Sequence, residues 1–477
     1  MNLQEVRVAA VTPERLAPLI GDERALQLNE VGDATRDALA GRAILNVNST
    51  GAGGGVAEML RTLLAYARGI GVDTRWFVIR GTPDFFAITK RIHNLLYGAP
   101  GDGQPLGAEE HVRYQEVLRP NTVELLSTVR PGDIVLLHDP QVAGMASELA
   151  DAGATVVWRC HIGRDTSNAH VEKAWAFLRP YLERVDAYVF SRRAFAPPWV
   201  PSDRVFCIAP SLDPFAPKNQ GLEPIEVESV LRYVGLLGGK GPSAGIAFLH
   251  ADGSPGRVDR LVDVLQTGPP PPSDVPLTVQ ISRWDPMKDM SGVMTAFAHH
   301  VATHSAAHLL LAGPVITGVA DDPEGAGVLD DCIKVWRELP HAIRTRVHLA
   351  CLPMRNPDEN AIIVNAIQRH AAVITQKSIA EGFGLTVAEA MWKSKPVVAS
   401  SVGGIVDQIV DGKSGVLIDD PHDLASFGAA VRDLLNDPAR SRELGSNAHR
   451  RAQTDFLADR HLKQYAQVIA GLDRIGT

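Results

Sequence analysis

The sequence predicts an α/β protein made of two doubly wound parallel sheets. Three observations carry this. Short apolar, β-branched runs recur along the 477 residues with helical stretches between them. The runs are apolar at consecutive positions, as strands covered on both faces require. A proline-rich break, APSLDPFAPKNQ (209–220), divides them into two series, and the length suits two or three domains.

In the first series the predicted strands are ILNVNS (44–49), TRWFVI (74–79), DIVLLHD (133–139), TVVWRCH (155–161), AYVFS (187–191) and VFCIAP (205–210). In the second they are LTVQISR (277–283), HLLLAGP (308–314), RVHLACL (346–352), AVITQ (372–376), PVVAS (396–400) and GVLI (415–418). The expected domains are 1–215 and 216–454, with a hinge near 212–222. Residues 223–276 read as an insert that ends in the stiff spacer GPPPPSDVP (268–276). The last helix, 455–477, is expected to cross back onto the first domain.

Composition narrows the function. Hydrophobic residues make up 45% and charged residues 21%, the balance of a globular chain. The net charge is −8, which argues against nucleic acid as the main partner. The four cysteines form no C-x-x-C pair, so no zinc site or disulfide framework is expected. The amino-terminal stretch lacks the apolar core and small-residue cleavage site of a leader. No run approaches the ~20 apolar residues that span a bilayer. The expectation is a cytoplasmic protein with no membrane partner; a homodimer stays open.

The glycine loop NSTGAGGGVAEML (48–60) follows the first strand and opens a helix. A dinucleotide fingerprint needs G-x-G-x-x-G, but after Gly51 and Gly53 the third place is Val56. The next strand ends Phe77-Val78-Ile79-Arg80, without the acidic residue that a ribose would need. A P-loop needs Gly-Lys-Ser/Thr, and here Val56-Ala57-Glu58 follows. Two readings stay open. One is a tight turn without a ligand. The other is a backbone approach, through Gly53, Gly54 and Gly55, to an anion or a hydroxyl-rich ligand.

The second series is more specific. EGFGLTVAEAMWKSKPVVASSVGG (381–404) puts Glu381 in the loop after strand AVITQ. Gly382, Phe383 and Gly384 follow, and the glycines let the backbone approach a ligand. A helix then starts, with the N–H groups of Leu385 and Thr386 free to bind phosphate oxygens. Glu389 lies one turn in, within reach of ribose hydroxyls, while Glu381 can reach sugar hydroxyls. SRWDPMKDM (282–290) adds Arg283 and Lys288, two cations that can neutralise a departing diphosphate.

S-R-x-x-x-x-K together with E-G-F-G-L-T-x-x-E-A-M resembles the retaining, GT-B-fold glycosyltransferases of family 4, over about residues 41–470. NVNSTGAGGGVAEML (46–60), the stretch 75–98, HDPQ (138–141) and WRCHI (158–162) resemble the trehalose glycosyltransferring synthases within it. Such enzymes join a nucleoside-diphosphate glucose to free glucose, reversibly. The resemblance implies two Rossmann-like domains facing a cleft. It implies that Arg283 and Lys288 neutralise the diphosphate, that Glu381 binds the donor sugar and that Glu389 binds the ribose. His161 would touch the donor glucose, and the base would lie near Pro353 and Met354. Asp139, Gln141, Trp76, Lys90 and His93 are the acceptor candidates; Trp76 reads equally well as core packing.

Two features depart from the resemblance. The insert is longer and richer in glycine and proline than expected, and Gly163 stands where an aspartate is expected, which bears on the acceptor. No D-x-D occurs, so no metal site is expected and no cofactor is required, with magnesium only on the free nucleotide. No carboxylate is an obvious nucleophile, which favours front-face substitution with retention. Three alternatives remain: a trehalose phosphorylase on the same fold, a binding protein with a dead site, and a family-4 transferase with another acceptor.

Overall fold

The computed structural model describes residues 3–51, 54–242, 245–250, 253–316 and 324–475. Gly53 lies outside them. The chain divides into two compact units. The first comprises residues up to Ser211, the short segment Glu381–Phe383, and Phe456 onward. The second comprises Leu212–Ala380 and Gly384–Asp455.

The first unit holds a seven-stranded sheet of β1 (Leu3–Glu5), β2 (Ile44–Asn48), β3 (Thr74–Ile79), β4 (Ile134–His138), β5 (Thr155–Cys160), β6 (Ala187–Phe190) and β7 (Val205–Cys207), in the order β1-β3-β2-β4-β5-β6-β7. All neighbours are parallel except β1, which runs antiparallel to β3 at the edge. The parallel order reverses between β2 and β4. Ligands of open α/β sheets bind at such a switch point, outside the strands' carboxyl ends.

Side chains alternate between the faces of a strand, and this sorts the core. Leu45, Val47, Val135, Leu137, Val156 and Trp158 belong to one apolar cluster, with helices Pro83–Leu96, Ala108–Leu126 and Ala169–Leu182. Ile134, Leu136, Val157 and Val189 point the other way and pack with Val468, Ile469 and Leu472 of the last helix, Ala458–Ile475. The same alternation puts three polar residues, Asn46, His138 and Arg159, on this second face. All three are buried.

The second unit holds β8 (Ile246–Leu249), β9 (Pro255–Val258), β10 (Asp263–Leu265), β11 (Leu277–Ile281), β12 (His308–Pro314), β13 (Val347–Leu352), β14 (Val373–Gln376), β15 (Val397–Ser400) and β16 (Val416–Ile418). β8 and β9 form a separate two-stranded hairpin. The other strands form a sheet in the order β10-β13-β12-β11-β14-β15-β16, with β10 antiparallel at the edge. The switch point lies between β11 and β14.

The insert is structured. It contains helix Pro224–Tyr233, the β8–β9 hairpin and edge strand β10. The hairpin is tied to helix Pro357–His370: His250 Nδ1 and Asp358 Oδ2 are 2.5 Å apart. Buried Glu359 accepts from the backbone N–H of Asp259 and Arg260 at 2.7 and 2.8 Å and pairs with the Arg260 guanidinium. Among the described residues, no helix is long and apolar enough to cross a membrane.

Candidate functional site

In the first unit the glycine loop joins β2 to helix Gly55–Gly69. Gly54 takes φ +77°, a conformation that glycine adopts without strain, and no side chain caps the helix. Gly54 and Gly55 are exposed, as close approach to a ligand requires.

Asp139 follows β4 with φ +66°. Aspartate tolerates the left-handed region when its short side chain bonds locally, and here Oδ1 accepts the backbone N–H of His161 at 2.7 Å. The Asp139 N–H in turn donates to the Arg159 carbonyl at 2.7 Å, and Trp158 Nε1 donates to the Asp139 carbonyl at 3.2 Å. This lacing holds the ends of β4 and β5 together. Burial pushes the Asp139 carboxyl up to about 7, against the pull of the His161 N–H and of Arg159.

His161, directly after β5, stacks on His138 with ring centroids 5.7 Å apart and 12° between planes. Burial, the Arg159 cation, His138 and His461 hold the His161 imidazole well below its ordinary value. Burial, then Arg159, lowers His138 to about 3. Both rings are therefore neutral near pH 7.

Gly382 lies against this group. A Cβ there would come within 2.5 Å of the His161 carbonyl oxygen and 3.0 Å of the Tyr97 hydroxyl. Only glycine lets the Glu381–Phe383 segment sit this close. Glu381 and Phe383 are buried, and the Phe383 ring meets Phe456 edge-on at 5.8 Å. The structure thus brings Asp139, His161 and Gly382 together and adds Tyr97, whose ring meets His93 at 4.9 Å. Gln141 is half-buried beyond Asp139, and Lys90 is buried on helix Pro83–Leu96.

Trp76 is a correction to the acceptor set and takes the packing role. It is 0% exposed, clusters with Ala57, Leu60, Leu64 and Val78, and satisfies its indole N–H on Asn48 Oδ1 at 2.8 Å. A ring enclosed in this way has no face for a sugar.

In the second unit, Arg283 and Lys288 follow β11. Asp285 organises the turn. Its Oδ1 accepts the Met287 N–H at 2.9 Å, and its Oδ2 pairs with Arg283 at 3.0 Å. Asp289 takes φ +43° and caps the next helix through the Gly292 N–H at 3.0 Å. On the neighbouring strand β14, Lys377 is the first residue past the end and is 1% exposed. Its ammonium pairs with Asp289. Gln280 completes the link: Nε2 donates to the Lys288 carbonyl at 2.7 Å, and Oε1 accepts the Lys377 N–H at 2.9 Å. The backbone of Lys288 is thereby fixed by the sheet itself.

Gly384, φ +85°, starts helix Leu385–Trp392, which no side chain caps. The first-turn N–H groups of Leu385 and Thr386 therefore keep their donor capacity. The Thr386 hydroxyl donates to Gln376 Oε1 at 2.9 Å, anchoring the helix start to the end of β14. Glu389, 4% exposed, has Lys218 Nζ 3.5 Å from Oε1. Pro353 and Met354 follow β13, and the Pro353 carbonyl accepts from Asn360 Nδ2 at 3.1 Å. The switch point between β11 and β14 is a cationic edge with an uncapped helix start, suited to an anion such as a diphosphate.

Comparison with known proteins agrees with the fold. A trehalose synthase N-terminal domain family matches residues 46–197, and a glycosyl transferases group 1 family matches residues 266–451. The trehalose synthase of Pyrococcus horikoshii is 33% identical over 456 residues, 95% of each chain. The chain belongs to the trehalose synthase family of glycosyltransferases. A member from Rubrobacter xylanophilus is 34% identical over 91% of each chain. A solved E. coli structure, described as trehalose-6-phosphate bound with UDP-2-fluoro glucose, matches with a TM-score of 0.65 at 12% identity. It covers 90% of this chain and 99% of that one. That likeness identifies the fold as GT-B.

Several residues around the candidate site were not singled out by sequence reasoning: Tyr97, His138, Arg159, Lys218, Lys377 and His461. Arg159 carried a signal, because a charge inside an apolar strand run has to be paired or put to use.

Proposed function

We propose that this glycosyltransferase moves glucose from a nucleoside-diphosphate glucose to free glucose, forming α,α-trehalose with retention at the donor carbon, and that it also runs in reverse. The observation that carries the reading is the cationic edge at the second sheet's switch point, where Arg283, Lys288 and the start of helix Leu385–Trp392 meet the ends of adjacent strands. The named activity of the relatives supports the product.

On this reading Arg283, Lys288 and the N–H groups of Leu385 and Thr386 stabilise charge as it develops on the leaving diphosphate. Glu389 binds the ribose, the loop at Pro353 and Met354 the base, and Glu381 and His161 the donor glucose. Gly53, Gly54 and Gly55 allow the glycine loop to approach the transferring sugar. Asp139, Gln141, Lys90 and His93 serve the acceptor. The anomeric hydroxyl of the acceptor attacks C1 on the face that the phosphate leaves. The C1–O bond to phosphate breaks, the new C1–O bond forms, and the acceptor's proton passes to the departing phosphate oxygen. No bound metal is needed, so activity should survive a chelator.

The test is release of nucleoside diphosphate from nucleotide-glucose with and without free glucose, with proton NMR of the product. Trehalose has one equivalent anomeric signal and no reducing end. A reducing disaccharide, or transfer only to another acceptor, overturns the reading. Release of glucose 1-phosphate from trehalose and inorganic phosphate, without nucleotide, would make the protein a phosphorylase instead.

A further inference from the structure

Beneath His161 lies a buried polar group that the proposed reaction does not use. Arg159 is 0% exposed. Its Nε donates toward His161 Nε2 at 3.4 Å, and its Nη2 donates to the Ile208 carbonyl at 2.7 Å. Tyr465 of the last helix places its ring 5.8 Å from the guanidinium carbon, a cation–π distance. His461, one turn earlier, stacks on Tyr465 at 5.2 Å and shares a hydrogen bond with Ser211 at 2.9 Å. On the opposite side, His138 Nε2 meets Asn46 Oδ1 at 3.1 Å, and His138 Nδ1 lies 3.4 Å from His161 Nε2.

The donors and acceptors can be assigned. The Asn46 amide nitrogen donates to Thr74 Oγ1 at 3.2 Å, which leaves Oδ1 to accept. His138 therefore carries its proton on Nε2; its bare Nδ1 competes for a proton on His161 Nε2, and the charged Arg159 donor decides against it. A guanidinium can only donate, so His161 Nε2 must be bare. A neutral imidazole has one proton, and in His161 it is left on Nδ1.

We propose that Arg159 is a positioning residue that fixes His161 as the Nδ1–H tautomer, and that Tyr465 of the last helix holds the guanidinium in place to do so. The ring then offers a hydrogen-bond donor on the side away from Arg159, as a sugar hydroxyl oxygen requires. This last step rests on the proposed role of His161. The groups facing His161 all act in one sense on its charge: Arg159, His138 and His461 disfavour a second proton, as does burial. Asp139 faces its backbone N–H. The arrangement keeps one tautomer and excludes the imidazolium.

The experiment uses the full chain labelled with nitrogen-15 in histidine. Imidazole long-range spectra are recorded from pH 8 to 5, and His161 is assigned through His161→Asn. The wild type should show a single Nδ1–H tautomer of His161 that stays neutral over this range. In Arg159→Met the tautomers should mix and titration should rise toward 6.5. At pH 8, where the ring is neutral, kcat with nucleotide-glucose and glucose should then fall about twofold or more, in step with the Nδ1–H fraction read from the same spectra. Tyr465→Leu keeps the Arg159 hydrogen bonds and should give a smaller shift in the same direction, which guards against misfolding of Arg159→Met. An Nε2–H tautomer in the wild type overturns the proposal, as does a spectrum unchanged in both variants. A tautomer that shifts while kcat stays flat upholds the Arg159–His161 link and removes His161 from the proposed sugar site.

Discussion

Lys218 Nζ stands 3.5 Å from Glu389 Oε1, and Lys393, one turn further along the chain, donates to the Glu389 carbonyl at 3.2 Å and to Asn219 Oδ1 at 2.9 Å. Glu389 and Lys393 are both buried. Burial pulls the Lys393 ammonium below its ordinary range, and Glu389 opposes that shift. The carboxylate therefore balances the half-buried Lys218 and the buried Lys393, besides the ribose role proposed for it. Glu389→Ala should lose stability as well as nucleotide affinity, because it strands a buried charge. Lys218 is half-buried and Lys393 keeps its bond to the residue-389 carbonyl, so the loss stays below the ~3 kcal/mol of a fully buried pair. Denaturant unfolding and calorimetry with nucleoside diphosphate measure the two effects. Glu389→Ala with Lys393→Met should regain stability without regaining affinity. Unchanged affinity in Glu389→Ala removes the ribose role.

Arg283→Ala and Lys288→Ala should each slow turnover by about 10²–10³, the effect of losing one preorganised charge donor. Both side chains lie past the end of β11, so folding should change little. Lys377→Met differs. It leaves Asp289 without its buried ammonium and loosens the turn that carries Lys288, so turnover and stability should fall together. Steady-state kinetics and thermal melts on the three variants separate the cases. Wild-type turnover in Arg283→Ala would sink the diphosphate assignment.

The strand runs and the glycine turns were legible in the sequence because buried parallel strands are apolar on both alternations. Each predicted run is a strand. β1 and β10 were not legible. They are three-residue edge strands, LQE and DVL, with too few apolar positions to show a period. The β8–β9 hairpin has the same weakness, and its burial comes from helix Pro357–His370, far away in sequence. At the site, EGFGLT stood out because its glycines sit between two glutamates. Lys377 and Arg159 did not. Their meaning lies in partners such as Asp289 and Tyr465, more than 80 and 300 residues distant along the chain.

Acid should destabilise the first unit. His138, His161 and His461 are buried and neutral, with folded values at about 3 for His138 and well below ordinary for the other two. Unfolding lets each take up a proton below about pH 6.5. Asp139 acts in the opposite sense. Its folded value is about 7 against an ordinary ~3.9, so between those limits the folded state holds a proton that the unfolded chain lacks. The three histidines outnumber it, and the unfolded state binds about two more protons between pH ~6 and ~4. Stability should fall by roughly 3 kcal/mol per pH unit there. Urea unfolding, read by hydrogen exchange of peptides spanning 134–161, gives the slope. A midpoint that is constant from pH 7 to 5 would contradict neutral burial of these rings.

Gly163 stands where the family resemblance implies an aspartate, and its neighbourhood gives a physical reason. A Cβ on Gly163 would overlap the Phe195 ring and lie 2.6 Å from the Phe195 Cβ. Phe195 is buried in the main apolar cluster and cannot swing away without leaving a cavity. Two residues on, Asp165 pairs with Arg192 at 2.9 Å, so the carboxylate of this loop is engaged elsewhere. Gly163→Asp alone should therefore destabilise the protein by overpacking, at about 1–3 kcal/mol, with activity falling in proportion to folded protein. Gly163→Asp with Phe195→Ala relieves the clash. If the loop contacts the acceptor, this double variant should alter the KM for glucose while leaving the KM for nucleotide-glucose near that of Phe195→Ala. Melting temperatures and the two KM values decide it. A Gly163→Asp protein as stable as wild type would show that Phe195 yields. A double variant with unchanged KM for glucose would place acceptor recognition outside this loop.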